Sequence, residues 1–183
     1  MALWIVRHAR PLIAAGVCYG VLDVQADAAA TDQAARELAD TLPAGVALRV
    51  SPLTRCQQLA RALCALRADL QARIDPRLRE MDFGSWEGVS WDAIPQAALQ
   101  AWTVDFGKHQ FGGAESSNEV LMRVARVWDE DYGDLDVVWI THAGVARAAR
   151  LLADGVRVLT RADQWPLEAP GYGKWLQMGA IKQ

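Results

Sequence analysis

Two histidines follow short apolar runs in this chain. His8 comes after the run 3–6 within an Arg-His pair, and His142 comes after the run 137–140 within a Thr-His pair. Apolar runs of this length predict buried strands, and the carboxyl ends of parallel strands face a common ligand-binding crevice. We therefore expect the two imidazoles to meet in one site, although they lie far apart along the chain.

Two arginines accompany these histidines. Arg7 directly precedes His8, and Arg55 follows the segment 51–54 after a third apolar run. Phosphoryl transfer to a side chain needs an unprotonated nucleophile, donors for the phosphate oxygens and a proton for the leaving alcohol. A neutral imidazole can attack phosphorus, and guanidinium groups match phosphate oxygens while keeping their charge. The residues thus predict a phosphate site with His8 as nucleophile and with Arg7, Arg55 and His142 as phosphate ligands.

The proton donor is expected in the segment 78–88, which mixes charged and aromatic residues with two glycines. Glu80 is the best candidate, because the charge of a bound phosphate dianion favours the protonated form of a nearby acid. Asp82 and Glu87 lie in the same segment. The sequence alone leaves these two carboxylates as alternatives for the acid role.

Short apolar runs alternate with longer stretches of helical period, which predicts a three-layer α/β/α sandwich around a mainly parallel sheet. Strands are predicted at 3–6, 46–50 and 137–140, with a last edge strand within 172–178. Helices are predicted at 32–42 after the N-cap Thr31, from the N-cap Ser51 and Pro52 to about 66, from Ser117 or Asn118 to about 131, and from about 144 to 153. The segment 78–88 is predicted to be an ordered loop and 91–106 to be partly helical.

The chain has 183 residues, of which 52% are hydrophobic, and we predict a single domain over residues 1–183. The net charge of −3 and a pI near 5.6 argue against nucleic acid or an anionic membrane surface as a partner. No apolar stretch approaches the roughly 20 residues of a membrane span. We expect a cytoplasmic protein whose partner is a small-molecule phosphomonoester, and a homodimer remains open.

The three cysteines form no CxxC pair, and we expect buried thiols. An alternative for Cys18 and Cys56 is a lowered pKa if they face the phosphate. The three histidines lack the spacing of common zinc motifs, so no metal is predicted.

Six segments, in one order along the chain, resemble the histidine phosphatase superfamily of phosphoglycerate mutase-like proteins, and within it the α-ribazole phosphatases of cobalamin synthesis. The segments are 3–8, 20–23, 51–55, 78–88, 113–116 and 141–144. Together they extend over most of the chain, whereas an Arg-His pair alone is a weak signal.

This resemblance implies a phosphoglycerate mutase-like fold and a phosphohistidine intermediate. By the resemblance, His8 becomes phosphorylated while Arg7, Arg55 and His142 hold the phosphoryl group. Glu80 protonates the leaving oxygen before water cleaves the phosphohistidine. The resemblance implies neither a metal nor an organic cofactor.

The chain departs from the family pattern directly after the nucleophile. Ala9 stands where many members have glycine, and Arg10 stands where many have an acid. Arg10 either reaches a second polar group of the substrate or faces solvent. Further candidates for contacts with the leaving group are Tyr19, Glu115 and Ser116.

The substrate is the least determined feature. Trp86 lies in the segment 78–88 and Trp91 and Trp102 follow it, where flat side chains can stack on a benzimidazole-like base. With the resemblance, this predicts α-ribazole 5′-phosphate as substrate. The alternatives are a broad-specificity phosphatase, a phosphoglycerate mutase-type enzyme and a non-catalytic binder of phosphorylated ligands. The short segment 89–112 disfavours a mutase, which needs cover to shield phosphohistidine from water.

Overall fold

A five-stranded sheet lies at the centre of the computed structural model, which describes residues 1–179. The strands are β1 (Leu3–Arg7), β2 (Ala47–Val50), β3 (Ala72–Ile74), β4 (Val137–Thr141) and β5 (Trp175–Met178). Their order across the sheet is β3-β2-β4-β1-β5, and only β5 runs antiparallel to its neighbour. The predicted α/β fold with a mainly parallel sheet is confirmed.

Five α-helices surround this sheet within the described residues. They are α1 (Ala28–Thr41), α2 (Thr54–Leu66), α3 (Gln96–Val104), α4 (Ser117–Trp128) and α5 (Ala143–Ala153). Single 3₁₀ turns occupy Pro76–Leu78, Gly84–Trp86, Trp91–Ala93 and Ala162–Gln164. None of the helices in residues 1–179 combines the length and apolarity needed to cross a membrane.

The central strands are buried on both faces. Since successive side chains of a strand point to opposite faces, each of these strands packs against helices on both sides of the sheet. Leu3 and Ile5 of β1 pack with α4 and α5, whereas Trp4 and Val6 pack with α1 and α2. A slip of one residue would exchange these two sets of side chains. The apolar packing on both faces therefore fixes the register of the strands.

This register brings the ends of three strands together. Strand β4 lies between β1 and β2, and Arg7 is paired with Thr141. The backbone N–H of His8 donates to the Thr141 carbonyl at 3.1 Å, and that of Ser51 donates to the Ile140 carbonyl at 3.0 Å. The residues that follow β1, β4 and β2 consequently lie side by side at one edge of the sheet.

The predicted start of α2 was wrong. Ser51 is not its N-cap, because the chain stays extended as far as Leu53 and the helix begins at Thr54. The carboxylate of Asp23, from a distant loop, accepts the Thr54 N–H at 2.7 Å and supplies the missing cap. Arg55 remains in the first turn, as predicted.

The start of α1 was also wrong, since it begins at Ala28 and Thr31 is not its N-cap. The side chain of Asp27 accepts the Ala30 N–H at 2.8 Å, and the alanines that follow Asp27 favour helix.

Helix α4 is capped by Ser116 in place of Ser117 or Asn118, and it ends at Trp128 in place of about 131. Ser116 and Glu119 form a capping box that satisfies two backbone N–H groups reciprocally. Strand β3 was not predicted, because its three residues are all exposed and are too few to give a periodic signal.

Candidate active site

His8 lies buried at the end of β1 with one ring nitrogen committed to the backbone. Its Nδ1 lies 2.7 Å from the Ala9 carbonyl oxygen, so Nδ1 carries the proton and Nε2 keeps a lone pair. Burial, and then the charge of Arg55, lower the pKa of His8 to about 3. His8 is therefore neutral at physiological pH, as a nucleophile must be.

Arg55 is fully buried beside this imidazole. Its Nε donates to His8 Nε2 at 3.2 Å, and its terminal nitrogens donate to the carbonyls of Gly20 and Leu22. No carboxylate of residues 1–179 lies within 4 Å of Arg55, so its charge is compensated only by dipoles. Because an uncompensated buried cation is costly, the site favours an anion.

Arg7 lies under an aromatic side chain that the sequence did not indicate. Its guanidinium carbon is 3.9 Å from the ring centroid of Tyr172, and its Nη1 donates to the Pro170 carbonyl at 3.1 Å. Tyr172 also lies 5.7 Å from His8 between ring centroids. No local pattern marks this segment, because it reaches the site only through the pairing of β5 with β1.

Tyr19 lies beside the site, among the residues that the sequence proposed. Its ring is 5.4 Å from the guanidinium carbon of Arg55, and its hydroxyl lies 2.7 Å from that of Tyr172. Burial raises the pKa of Tyr19, so the phenol stays protonated and can donate a hydrogen bond.

His142 faces His8 with 5.1 Å between ring centroids. Its Nε2 lies 2.7 Å from Ser51 Oγ, which already accepts the Leu53 N–H. This favours a hydroxyl that donates to Nε2, and leaves the ring proton on Nδ1, which has no partner within residues 1–179. Burial, followed by repulsion from His8 and Arg55, holds the pKa of His142 well below its ordinary value. Nδ1–H is thus a neutral donor available to an anion.

Glu80 lies next to the first turn of α5. Its Oε2 accepts the Gly144 N–H at 3.1 Å, and its Oε1 accepts the Met81 N–H at 3.0 Å. A Cβ at position 144 would displace this carboxylate, so the absence of a side chain at Gly144 leaves Glu80 room to take this position. Because Gly144 lies two residues after His142, Glu80 is held beside the phosphate ligands.

Glu87, another candidate for the acid role, lies against the loop 20–22 and not against α5. Its two oxygens accept the backbone N–H groups of Gly20, Val21, Leu22 and Phe83. Glu87 therefore holds the loop whose carbonyls bind Arg55, and its lone pairs are already used.

Asp82 caps the following turn, since its Oδ1 accepts the Gly84 N–H at 2.9 Å. Of the three carboxylates, Glu80 alone contacts the first turn of α5.

Glu115, which the sequence proposed as a substrate contact, is buried in an ion pair. Its oxygens accept Nε and Nη2 of Arg123 at 2.7 and 3.1 Å and the Asp82 N–H at 3.1 Å. Arg123 in turn donates to the Glu80 carbonyl. The structure thus gives Glu115 a supporting position under the proton-donor loop. Ser116 likewise has its hydroxyl committed to the cap of α4.

The two departures after the nucleophile have simple consequences. Ala9 is buried, and no described non-glycine residue has a positive φ, so alanine carries no backbone strain there. The side chain of Arg10 is 67% exposed and pairs with Asp27 at 3.3 Å. Arg10 therefore faces solvent in this structure.

The cysteines near the site are unreactive. Burial raises the pKa of Cys18 and of Cys56 to about 12. The alternative of low-pKa thiolates facing the phosphate is therefore wrong. Within residues 1–179, no cluster of three His, Cys, Asp or Glu side chains could hold a metal ion.

The pKa of His8 predicts how stability depends on pH. The folded value of about 3 lies below the unfolded value, so the unfolded chain binds more protons between these values. The stability associated with neutral His8 is complete above about pH 6.5 and falls by up to about 1.4 kcal/mol per pH unit below it. We expect His8→Asn to make the free energy of unfolding, measured with urea, decline less steeply between pH 7 and 5, while the lowered pKa of His142 keeps part of the decline. His109→Asn, outside the site, should keep the wild-type slope; equal slopes in all three proteins would refute the lowered pKa.

The ion pair under the proton-donor loop gives a second prediction. Glu115→Gln leaves the buried Arg123 cation without a counter-ion and should reduce the free energy of unfolding by about 3 kcal/mol. The matched control is Asp129→Asn, because the Asp129–Arg157 pair is half exposed and should cost less than about 1 kcal/mol. Urea unfolding at neutral pH measures both values. Equal losses in the two variants would contradict a supporting role for Glu115.

Comparison with known proteins agrees with this geometry. The model of the histidine phosphatase superfamily (branch 1) matches residues 3–167. A mycobacterial glucosyl-3-phosphoglycerate phosphatase in complex with VO3 is 27% identical, with a TM-score of 0.77 over 96% of this chain and 91% of that one. A protein from Thermus thermophilus is 29% identical, with a TM-score of 0.71 over 98% of this chain and 94% of that one. A structure described as mycobacterial hydrolase 2 is 25% identical, with a TM-score of 0.76 over 99% of this chain and 84% of that one.

No curated protein matches the chain significantly. The family match nevertheless extends over nearly the whole chain and includes the strand ends that carry both histidines. The chain belongs to the histidine phosphatase superfamily.

Proposed function

We propose that this protein hydrolyses phosphomonoesters through a phosphohistidine formed at His8. One observation carries the proposal: a neutral imidazole, whose Nε2 keeps an unprotonated lone pair, lies beside the buried guanidinium of Arg55, which has no carboxylate partner among residues 1–179. Arg7 adds a second cation and His142 an unpartnered Nδ1–H. This set of donors fits the oxygens of a phosphate group.

The first step transfers the phosphoryl group to the enzyme. Arg55 exchanges its hydrogen bond to His8 Nε2 for a phosphate oxygen, which frees the lone pair for attack on phosphorus. The N–P bond forms as the P–O bond to the alcohol breaks, and the leaving oxygen takes the proton of Glu80. The developing charge is stabilised by Arg7, Arg55 and His142, each such donor contributing on the order of 3 kcal/mol.

The second step releases phosphate. Glu80, now ionised, takes a proton from a water that attacks phosphorus, and the N–P bond breaks with its electron pair returning to His8 Nε2. Inorganic phosphate leaves, and the enzyme regains a protonated Glu80 and a neutral His8. The Nδ1–H bond to the Ala9 carbonyl holds the ring in one orientation throughout.

For the substrate, we propose α-ribazole 5′-phosphate. Two of the three tryptophans proposed from the sequence, Trp91 and Trp102, line a cavity that also contains the Glu80 side chain. Trp86 packs instead against Phe111, with 6.0 Å between centroids. A planar base attached to the leaving alcohol has an aromatic surface to contact beside the proton donor.

Chemical trapping tests the mechanism. With p-nitrophenyl phosphate the leaving group needs no proton, so Glu80→Gln should still form phosphohistidine but lack the base that cleaves it. We expect about one acid-labile, alkali-stable phosphate per chain in Glu80→Gln, less in the wild type and none in His8→Asn. Asp82→Asn is the matched control and should resemble the wild type. Label that persists in His8→Asn would refute the proposal, and trapping in Asp82→Asn alone would transfer the acid role to Asp82.

Substrate comparison tests the specificity. We expect kcat/KM for α-ribazole 5′-phosphate to exceed that for 3-phosphoglycerate and glycerol phosphate by at least about tenfold. Rates should be measured as inorganic phosphate released, with isomer formation from 3-phosphoglycerate assayed in parallel. Equal values for the three esters would indicate a broad-specificity phosphatase, and isomer formation a mutase.

A further inference from the structure

A cavity of about 210 Å³ is lined by Glu80 but not by His8, Arg7 or Arg55. Five aromatic side chains contribute to its walls, namely Phe83, Trp91, Trp102, Phe106 and Trp165. Trp102 stacks on Phe106 with 5.3 Å between centroids, and Phe106 contacts Trp165 at 5.9 Å. Since a cavity of about 150 Å³ holds benzene, this volume suffices for a fused two-ring system.

The cavity also has polar residues whose hydrogen bonds are incomplete. Arg147, Ser117 and Trp102 each retain one buried polar atom, Nε, Oγ and Nε1 respectively, without a partner anywhere in residues 1–179. Native proteins satisfy most buried donors with protein or water. Three polar groups beside this apolar cavity thus have hydrogen-bonding capacity that the described residues leave for a ligand or for water.

Arg147 is the polar residue best placed to discriminate between ligands. Its Nη2 donates to the Leu167 carbonyl at 3.1 Å, and no carboxylate within the described chain approaches it within 4 Å. Burial lowers the pKa of Arg147, and the charge of Glu80 opposes this effect. Because Glu80 becomes ionised as the leaving alcohol takes its proton, a carboxylate carried by that alcohol would be repelled by Glu80 in this step. An uncharged acceptor avoids that repulsion.

We propose that this cavity binds the leaving group, and that it selects a primary alcohol carrying a fused heteroaromatic ring whose neutral acceptor bonds to Arg147. Glu80 connects the two sites, since its carboxylate lines the cavity and its Oε2 is bound by Gly144 in the first turn of α5. An alcohol that receives the Glu80 proton must have its oxygen beside that carboxylate, with its substituent in the adjoining cavity. The inference rests on the proposed hydrolysis but not on any single named substrate.

Three kinds of phosphate ester test this site. All are esters of primary alcohols, so their leaving groups differ little in reactivity. They are propyl phosphate, naphthylmethyl phosphate and the isomers of quinolinylmethyl phosphate, which add one neutral ring nitrogen to the naphthyl shape. In the wild type we expect kcat/KM to rise at least about tenfold from propyl to naphthylmethyl, and severalfold more for at least one quinolinylmethyl isomer.

Variants of the cavity separate the contribution of the aromatic ring to kcat/KM from that of the ring nitrogen. Arg147→Met should abolish the gain from the ring nitrogen and keep the gain from the ring, whereas Trp102→Leu should reduce the gain from the ring. The matched control is Arg150→Met, three residues later on α5, where the arginine is exposed and pairs with Glu168; it should keep both gains. Quinolinylmethanol should also inhibit propyl phosphate hydrolysis by the wild type more strongly than naphthylmethanol, a measurement that requires no variant.

Different results would refute the cavity proposal and the proposed hydrolytic function. If all esters are hydrolysed at equal rates in a reaction lost in His8→Asn, the hydrolytic function stands and the cavity proposal is wrong. A naphthyl gain without any quinolinyl gain, or a quinolinyl gain that survives Arg147→Met, refutes the role of Arg147. If none of the esters is hydrolysed and no phosphohistidine forms, the proposed function itself fails.

Discussion

Arg55 is buried without a carboxylate partner in the described part of the chain, and this is the constraint on which the rest of the site depends. Removing a guanidinium from water costs several kcal/mol unless other groups compensate for the lost hydration. Here the compensation comes from backbone carbonyls of Gly20 and Leu22 and from the lone pair of His8. The same charge helps to keep His8 neutral. A chain with a net charge of −3 thus keeps a local positive site that suits a phosphate dianion.

Two carboxylates stabilise the loops around this charge. Glu87 binds four backbone N–H groups and so fixes the loop that supplies carbonyls to Arg55. Glu115 and Arg123 do the same for the loop that carries Glu80. Glu87 accepts backbone N–H groups directly, whereas Glu115 accepts one, that of Asp82, and holds Arg123, which donates to backbone carbonyls. These bonds satisfy backbone groups of segments without regular structure and fix the position of Glu80.

Binding of the phosphoryl group and binding of the leaving group involve different parts of the fold. The residues around His8 lie at the ends of packed parallel strands, whose register leaves little freedom. The aromatic walls of the cavity come from the segment 83–106 and Trp165, outside the sheet, and residues of α4 and α5 complete its lining. Changes in the segment 83–106 can alter the cavity without moving the strand ends that carry the histidines. One phosphate-binding arrangement can thus serve different alcohols, which is why the family alone does not specify a substrate.

By itself, the sequence determined the sheet-forming runs, most helices and the type of chemistry, because each depends on a pattern within a few neighbouring residues. The apolar runs before His8 and His142 predicted both strand ends and their approach at one edge of the sheet. Only the tertiary structure placed Glu80, and neither Asp82 nor Glu87, against the first turn of α5, capped α2 with Asp23 and set Tyr172 over Arg7. Each of these contacts joins segments far apart in the chain. Its geometry depends on how the elements pack, which no local pattern of residues specifies.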